Sequence, residues 1–193
     1  SGTVSVAGQP LSGSEILIYS AGSGRNVSPV LLAQAMTDRQ GAYAVTSVAS
    51  PPTQGQLIYV IANGANSASR LMTVMGAYCD AATNCNFQPT VTINELSTVA
   101  AAYSFAAYAT STQMVSVAGG EVALQIATST FNSLVNPVTG TLSASLASLG
   151  CTSGGHVNVP NCTAVQKLNT LANLLTSCTS ASSPSSTACA NWL

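Results

Sequence analysis

The spacing of apolar residues changes period once, near residue 90, and that change constrains what each half of the chain can become. Upstream, short runs rich in β-branched and aromatic residues alternate with turn-formers. Thr3, Val4, Ser5 and Val6 alternate, residues 9–13 form a turn cluster, and residues 15–19 and 31–37 are further strand candidates. Asp38-Arg39-Gln40-Gly41 makes a turn into a strand over 42–46, and the unbroken apolar run 57–62 suits a central strand buried on both faces. Strands recurring about every ten residues predict an antiparallel sandwich.

Past a last strand at 90–93 the pattern becomes helical. Asn94 can cap a helix whose first turn holds Glu95, a carboxylate suited to the positive end of the dipole. Leu96, Val99, Ala100 and Tyr103 form one apolar stripe and Phe105 and Tyr108 a second, which predicts a centrally buried helix. A second helix opens at Gly120-Glu121, shows Val122, Leu124, Ile126, Phe131 and Leu134, and stops at Asn136-Pro137. A short third helix is expected over 141–149. The last starts at 160–163, with Val165, Leu168, Leu171, Ala172 and Leu175 on its apolar face and Gln166, Asn169, Thr170, Asn173 and Ser177 opposite. The expected fold class is α+β, a sandwich over 1–93 followed by a helical domain over 94–193.

Six cysteines fall in three sequence-local pairs, Cys79 with Cys85, Cys151 with Cys162, and Cys178 with Cys189. None has C-x-x-C spacing, and His156 alone cannot complete a metal cluster, so disulfides are the expectation and metal ligation is not. Neighbour pairing is preferred among the possible connectivities because each pair brackets Asn, Gly, Ser or Pro. Each closed loop would then stabilise the helical bundle or the sandwich by roughly 3 kcal/mol. Disulfides imply an oxidising, extracellular or cell-surface setting. No leader peptide is legible, and Ser1 reads as the start of a mature chain.

Charge is scarce. Lys and Arg number 4, Asp and Glu 5, and the formal net charge is −1. With 47% hydrophobic residues there is ample material for a core and little resemblance to a disordered chain. Arg25, Arg39, Arg70 and Lys167 are too scattered to neutralise a phosphate backbone, which excludes nucleic acid as a partner. Residues 96–120 carry no charge but are Ala-, Ser- and Thr-rich and end in Gly-Gly, so a membrane-spanning helix is not expected. A surface of neutral side chains offers no electrostatic barrier to contact with a second copy.

The series GTVSVAGQPLSGSEILIYSAG, TDRQGAYAV and LIYVIANG resembles the transthyretin-like or carboxypeptidase-regulatory-like β-sandwich family, which includes the B-type repeats of bacterial adhesins. The likeness covers residues 1–93, and its most specific element is D-x-x-G-x-Y at Asp38, Gly41 and Tyr43. It implies a non-catalytic spacer, stalk or accessory domain, with Gly41 at positive φ and Tyr43 pointing inward. The Lys–Asn cross-link of adhesin repeats is not carried over, because Lys167 lies outside the sandwich. The segment INELSTVAAAYSFAAY is similar to the stretch after such sandwiches in secreted bacterial proteins of no assigned activity.

Catalysis is not expected. His156 is the one imidazole, G-x-S-x-G is absent, and the carboxylates Glu15, Asp38, Asp80, Glu95 and Glu121 are spread out, four of them with local tasks in turns, a disulfide loop or helix starts. No cofactor or calcium motif occurs. The sequons at Asn26 and Asn161 read as chance triplets. Tyr19, Tyr43, Tyr59, Tyr103 and Tyr108 read as core anchors more than as a sugar platform. The leading expectation is an extracellular structural subunit that self-assembles into a fibre, sheath or surface layer, with Thr3, Val4, Ser5, Val6 and Ala7 as the strand added to a neighbour. A monomeric adhesion or glycan-binding module is the alternative, and a secreted hydrolase dependent on His156 a third.

Overall fold

In a computed structural model, residues 1–24, 27–64, 70–79, 87–109, 120–148 and 162–180 are described. The strands are β1 (Gly2–Val6), β2 (Gln9–Pro10), β3 (Glu15–Ser20), β4 (Val30–Met36), β5 (Ala42–Tyr43), β6 (Leu57–Asn63), β7 (Arg70–Ala77) and β8 (Val91–Ile93). There follow α1 (Glu95–Phe105), α2 (Gly120–Leu134), a small hairpin of β9 (Val135–Asn136) and β10 (Thr141–Leu142), α3 (Ala144–Ala147) and α4 (Cys162–Thr179). The class is α+β, with antiparallel pairing throughout the larger sheet.

Two sheets face each other. The larger runs β4-β3-β6-β7; in the smaller, β1 pairs antiparallel with β2 and β5 and parallel with β8. Alternation along the strands sends Ile16, Ile18, Ile58, Val60, Ala62, Leu71 and Met75 of the large sheet into one core with Val4, Tyr43, Val91 and Ile93 of the small one. The opposite face of the large sheet is apolar too. Leu57, Tyr59, Ile61 and Val74 meet Ala100, Ala101 and Phe105 of α1 and Leu124, Ala127 and Phe131 of α2 in a second core. The unbroken apolar run of β6 is therefore explained by burial on both faces, and side chains on either side of residue 93 share one interior. α4 lays Val165, Leu168 and Ala172 inward, packs along α1, and reaches the first core through Leu175.

Local chemistry sets the boundaries. The Asn94 side chain accepts the Ser97 N–H (2.9 Å) while Ser97 Oγ accepts the Asn94 N–H (3.0 Å), a reciprocal cap that starts α1. The Asp38 carboxylate accepts the N–H groups of Gln40 (2.8 Å) and Ala42 (2.9 Å), closing the turn in which Gly41 sits at φ 70. Tyr43 points inward and is 4% exposed.

Several expectations need correction. β7 is absent from the strand reading because its Arg70 start and methionines do not alternate cleanly. The strand expected over 42–46 is only two residues long. Residues 141–149 do not form one helix: Thr141 and Leu142 pair back on β9, and only Ala144–Ala147 is helical, capped by Ser143. Tyr103 is 71% exposed and is no core anchor; Val122, Ile126 and Leu171 are likewise exposed. On these helices the buried positions are taken by Ala100 and Phe105, by Leu124, Ala127 and Phe131, and by Val165, Leu168 and Ala172, which face the sheet or a neighbouring helix.

Cys79, Cys162 and Cys178 are disulfide-bonded, and no cysteine is free among the described residues. Cys85, Cys151 and Cys189, and with them the connectivity, lie outside the described residues, as do Arg25, Asn26, Asp80, His156 and Asn161.

Candidate functional site

The described carboxylates are dispersed; Glu15, Asp38 and Glu95 each hold a local hydrogen bond, and Glu121 lies in the first turn of α2. Glu15 accepts Asn63 Nδ2–H (3.0 Å), whose oxygen accepts Arg70 Nε–H (3.0 Å), tying β3, β6 and β7 together at one end of the sheet. Asp38 holds its turn. Glu95, 7% exposed, accepts the Ala7 N–H (2.8 Å). Ala7 (φ 52) and Gly8 (φ 73) form the β1–β2 turn, and a non-glycine residue in the left-handed region is strained by about 1–2 kcal/mol. The Glu95 carboxylate thus pins a strained turn to the start of α1. Among the described residues no three His, Cys, Asp or Glu side chains converge on a metal position, and no helix there is long and apolar enough to cross a membrane.

Among the described residues, shallow clefts are lined by amides, hydroxyls and aliphatic groups, one of them also by Glu95. The roomiest, about 540 Å³, lies between the β1–β2 turn, the start of α1 and the Asn169, Asn173 and Thr176 face of α4. A second, about 400 Å³, sits beside β9 and Ser143. The third, about 310 Å³, runs between residues 31–34 of β4 and residues 47–49. Neither of the first two is lined by a described His, Cys or Lys. The third borders an open sheet edge.

The two edges of the large sheet are treated differently. Along β7 part of the outer backbone is satisfied: Met72 N–H donates to Thr98 Oγ1 (3.0 Å), Ser97 Oγ donates to Met72 O (3.0 Å), and Gln88 N–H donates to Met75 O (2.7 Å). The hydroxyls at the start of α1 therefore occupy that edge at Met72. Along β4 the outward backbone bond among the described residues is from Ala49 N–H to Leu32 O (2.8 Å). Thr37 bonds back toward β3, its N–H to Ser14 O and its O to Gly13 N–H, so alternation turns Ala35 and Ala33 to β3 and leaves the N–H and C=O of Gln34 and Met36 facing outward. A bulge lies between the Ile18–Ala33 and Tyr19–Leu31 pairs, upstream of this stretch.

Side chains on this edge are exposed and neutral. Val30 is 49% and Met36 61% exposed, with Val27, Leu31 and Val48 also open to solvent. Residues 27–37 contain no charged side chain and, after Pro29, no proline, so past the bulge at Leu32 the strand lacks the charge or proline that commonly guards an edge.

The strand proposed for pairing with a neighbour, Thr3 to Ala7, is not an edge. β1 is hydrogen-bonded to β8 on one side and to β5 and β2 on the other, Ala7 lies in the turn, and adding this strand to a second copy would dismantle the small sheet. Sequence reasoning overlooked β4 as the open edge; the legible signal was the absence of charge between residues 27 and 37. No family model, curated protein or solved structure matches the chain.

Proposed function

We propose that this protein is an extracellular structural subunit that self-assembles through neutral surface, on a transthyretin-like sandwich whose helical layer is stapled by disulfides. One observation carries the reading: the β4 edge is open, apolar and without a charged residue, on a chain whose net charge is −1. An open strand presents a row of hydrogen-bond donors and acceptors to any strand of matching direction, and single chains normally guard it with Lys or Pro. Here the guard is absent and the molecule carries too little charge to keep copies apart. The bonded state of Cys79, Cys162 and Cys178 supports an oxidising location, where a structural subunit must persist without repair.

Sedimentation and electron microscopy of the purified protein, without added ligand, test this reading. Association beyond the single chain that increases with concentration is the expected result. A strictly single-chain species at high concentration and moderate salt would remove it and leave the adhesion-module reading in its place.

A further inference from the structure

Resting on the self-assembly reading, the geometry points to β4 pairing antiparallel with β4 of a second copy about a two-fold axis through Ala35. The register is set by which backbone groups are free. Leu32 O is taken by Ala49 N–H, and Ala33 and Ala35 are turned toward β3, so Gln34 and Met36 hold the open donors and acceptors. In an antiparallel ladder the hydrogen-bonded residues are those whose N–H and C=O both point across. Setting Gln34 opposite the second copy's Met36 brings each free N–H to a free C=O, and the axis makes the reverse pair identical. Shifting the axis to Gln34 would place Met36 against Leu32, whose oxygen is already used. Directly opposite residues share a sheet face, so the Met36 side chain, 61% exposed in the single chain, would lie along the second copy's Gln34 and lose much of that exposure. A second copy is the fitting occupant because the strand has no charge to be matched by a partner of opposite sign and none to repel itself. The product is one continuous sheet across two molecules, whose outer edges are β7 of each, bonded at Met72 to the hydroxyls of α1. A dimer formed this way uses up both β4 edges, and any larger particle must use another surface.

Sedimentation velocity on the full chain tests this with Gln34→Pro, which deletes an outward donor and leaves the β3 ladder intact, and with Met36→Lys, which sets a cation on the pairing edge. The wild type is expected to associate, and each variant to weaken association about tenfold or more. Met36→Lys keeps the test decisive if proline disturbs folding. The double variant Gln34→Glu/Met36→Lys is expected to regain association, since each new charge then faces its opposite across the axis. Wild-type association that survives both single variants overturns the β4 interface while leaving self-assembly standing. Failure of the double variant to recover overturns the register, and a wild type that stays single overturns both proposals.

Discussion

Alanine at Gly41 tests whether the turn after β4 is locked against β1, and Gly8 supplies a matched control. Both glycines are left-handed, at φ 70 and φ 73. For an L-residue that conformation costs about 1–2 kcal/mol, the same at either site. The surroundings differ. A Cβ at Gly41 would lie 2.4 Å from Val4 O, 3.1 Å from Leu11 N and 3.2 Å from Pro10 Cα, all backbone atoms, whereas a Cβ at Gly8 meets nothing within 4 Å. Val4 cannot easily retreat: its O accepts Leu11 N–H (3.0 Å), and its N–H donates to Gly41 O (2.8 Å). Relieving such an overlap by moving backbone costs about a further 1–3 kcal/mol. Gly41→Ala should therefore lose about 2–5 kcal/mol and Gly8→Ala only about 1–2. Urea unfolding with disulfides intact reads both, as a fall in midpoint at unchanged slope. In a thermal scan each kcal/mol corresponds to about 2–4 °C for a chain of this size. Equal losses for the two variants would refute the steric argument, since left-handed strain alone would then account for both.

Individual buried groups give further expected outcomes. The Tyr43 hydroxyl is buried without a hydrogen-bond partner, and Tyr43→Phe, which removes the unsatisfied group and keeps the ring, should leave stability unchanged or raise it by about 1 kcal/mol in the same urea assay. Burial also pushes the Tyr43 phenol well above its ordinary 10.0. The folded state then holds a proton that the unfolded chain releases, so stability is fully present below pH 10.0 and falls as pH rises beyond it; tyrosinate absorbance should show this ring ionising only with unfolding. Ser97→Ala removes the Ser97 half of the α1 cap and the donor to Met72 O while keeping the Ser97 N–H bond to Asn94, and should cost about 1–3 kcal/mol in the urea assay.

Much of the architecture was legible because local chemistry dictated it. The alternation of β1 and β3, the doubly apolar run of β6, the Asp38–Gly41 turn, the Asn94 cap and the opening of α2 and α4 each rest on neighbours within a few residues, and the folded chain keeps them where the sequence places them. What the sequence could not settle was which apolar side chains face inward on the helices. Tyr103, Val122, Ile126 and Leu171 have the right spacing for a core, yet they are exposed, because the side of a helix that meets the sheet depends on partners distant in the chain. β8 beside β1 is a parallel pairing between residues nearly ninety positions apart, and nothing local to either strand announces it. The same applies to edges. Sequence alone identified a nearly uncharged chain containing strands suited to pairing, but whether a strand is interior or open is a property of the sheet. Tertiary structure buried β1 between partners, bonded β7 at Met72 to the hydroxyls of α1, and left β4 with backbone hydrogen bonds still to make.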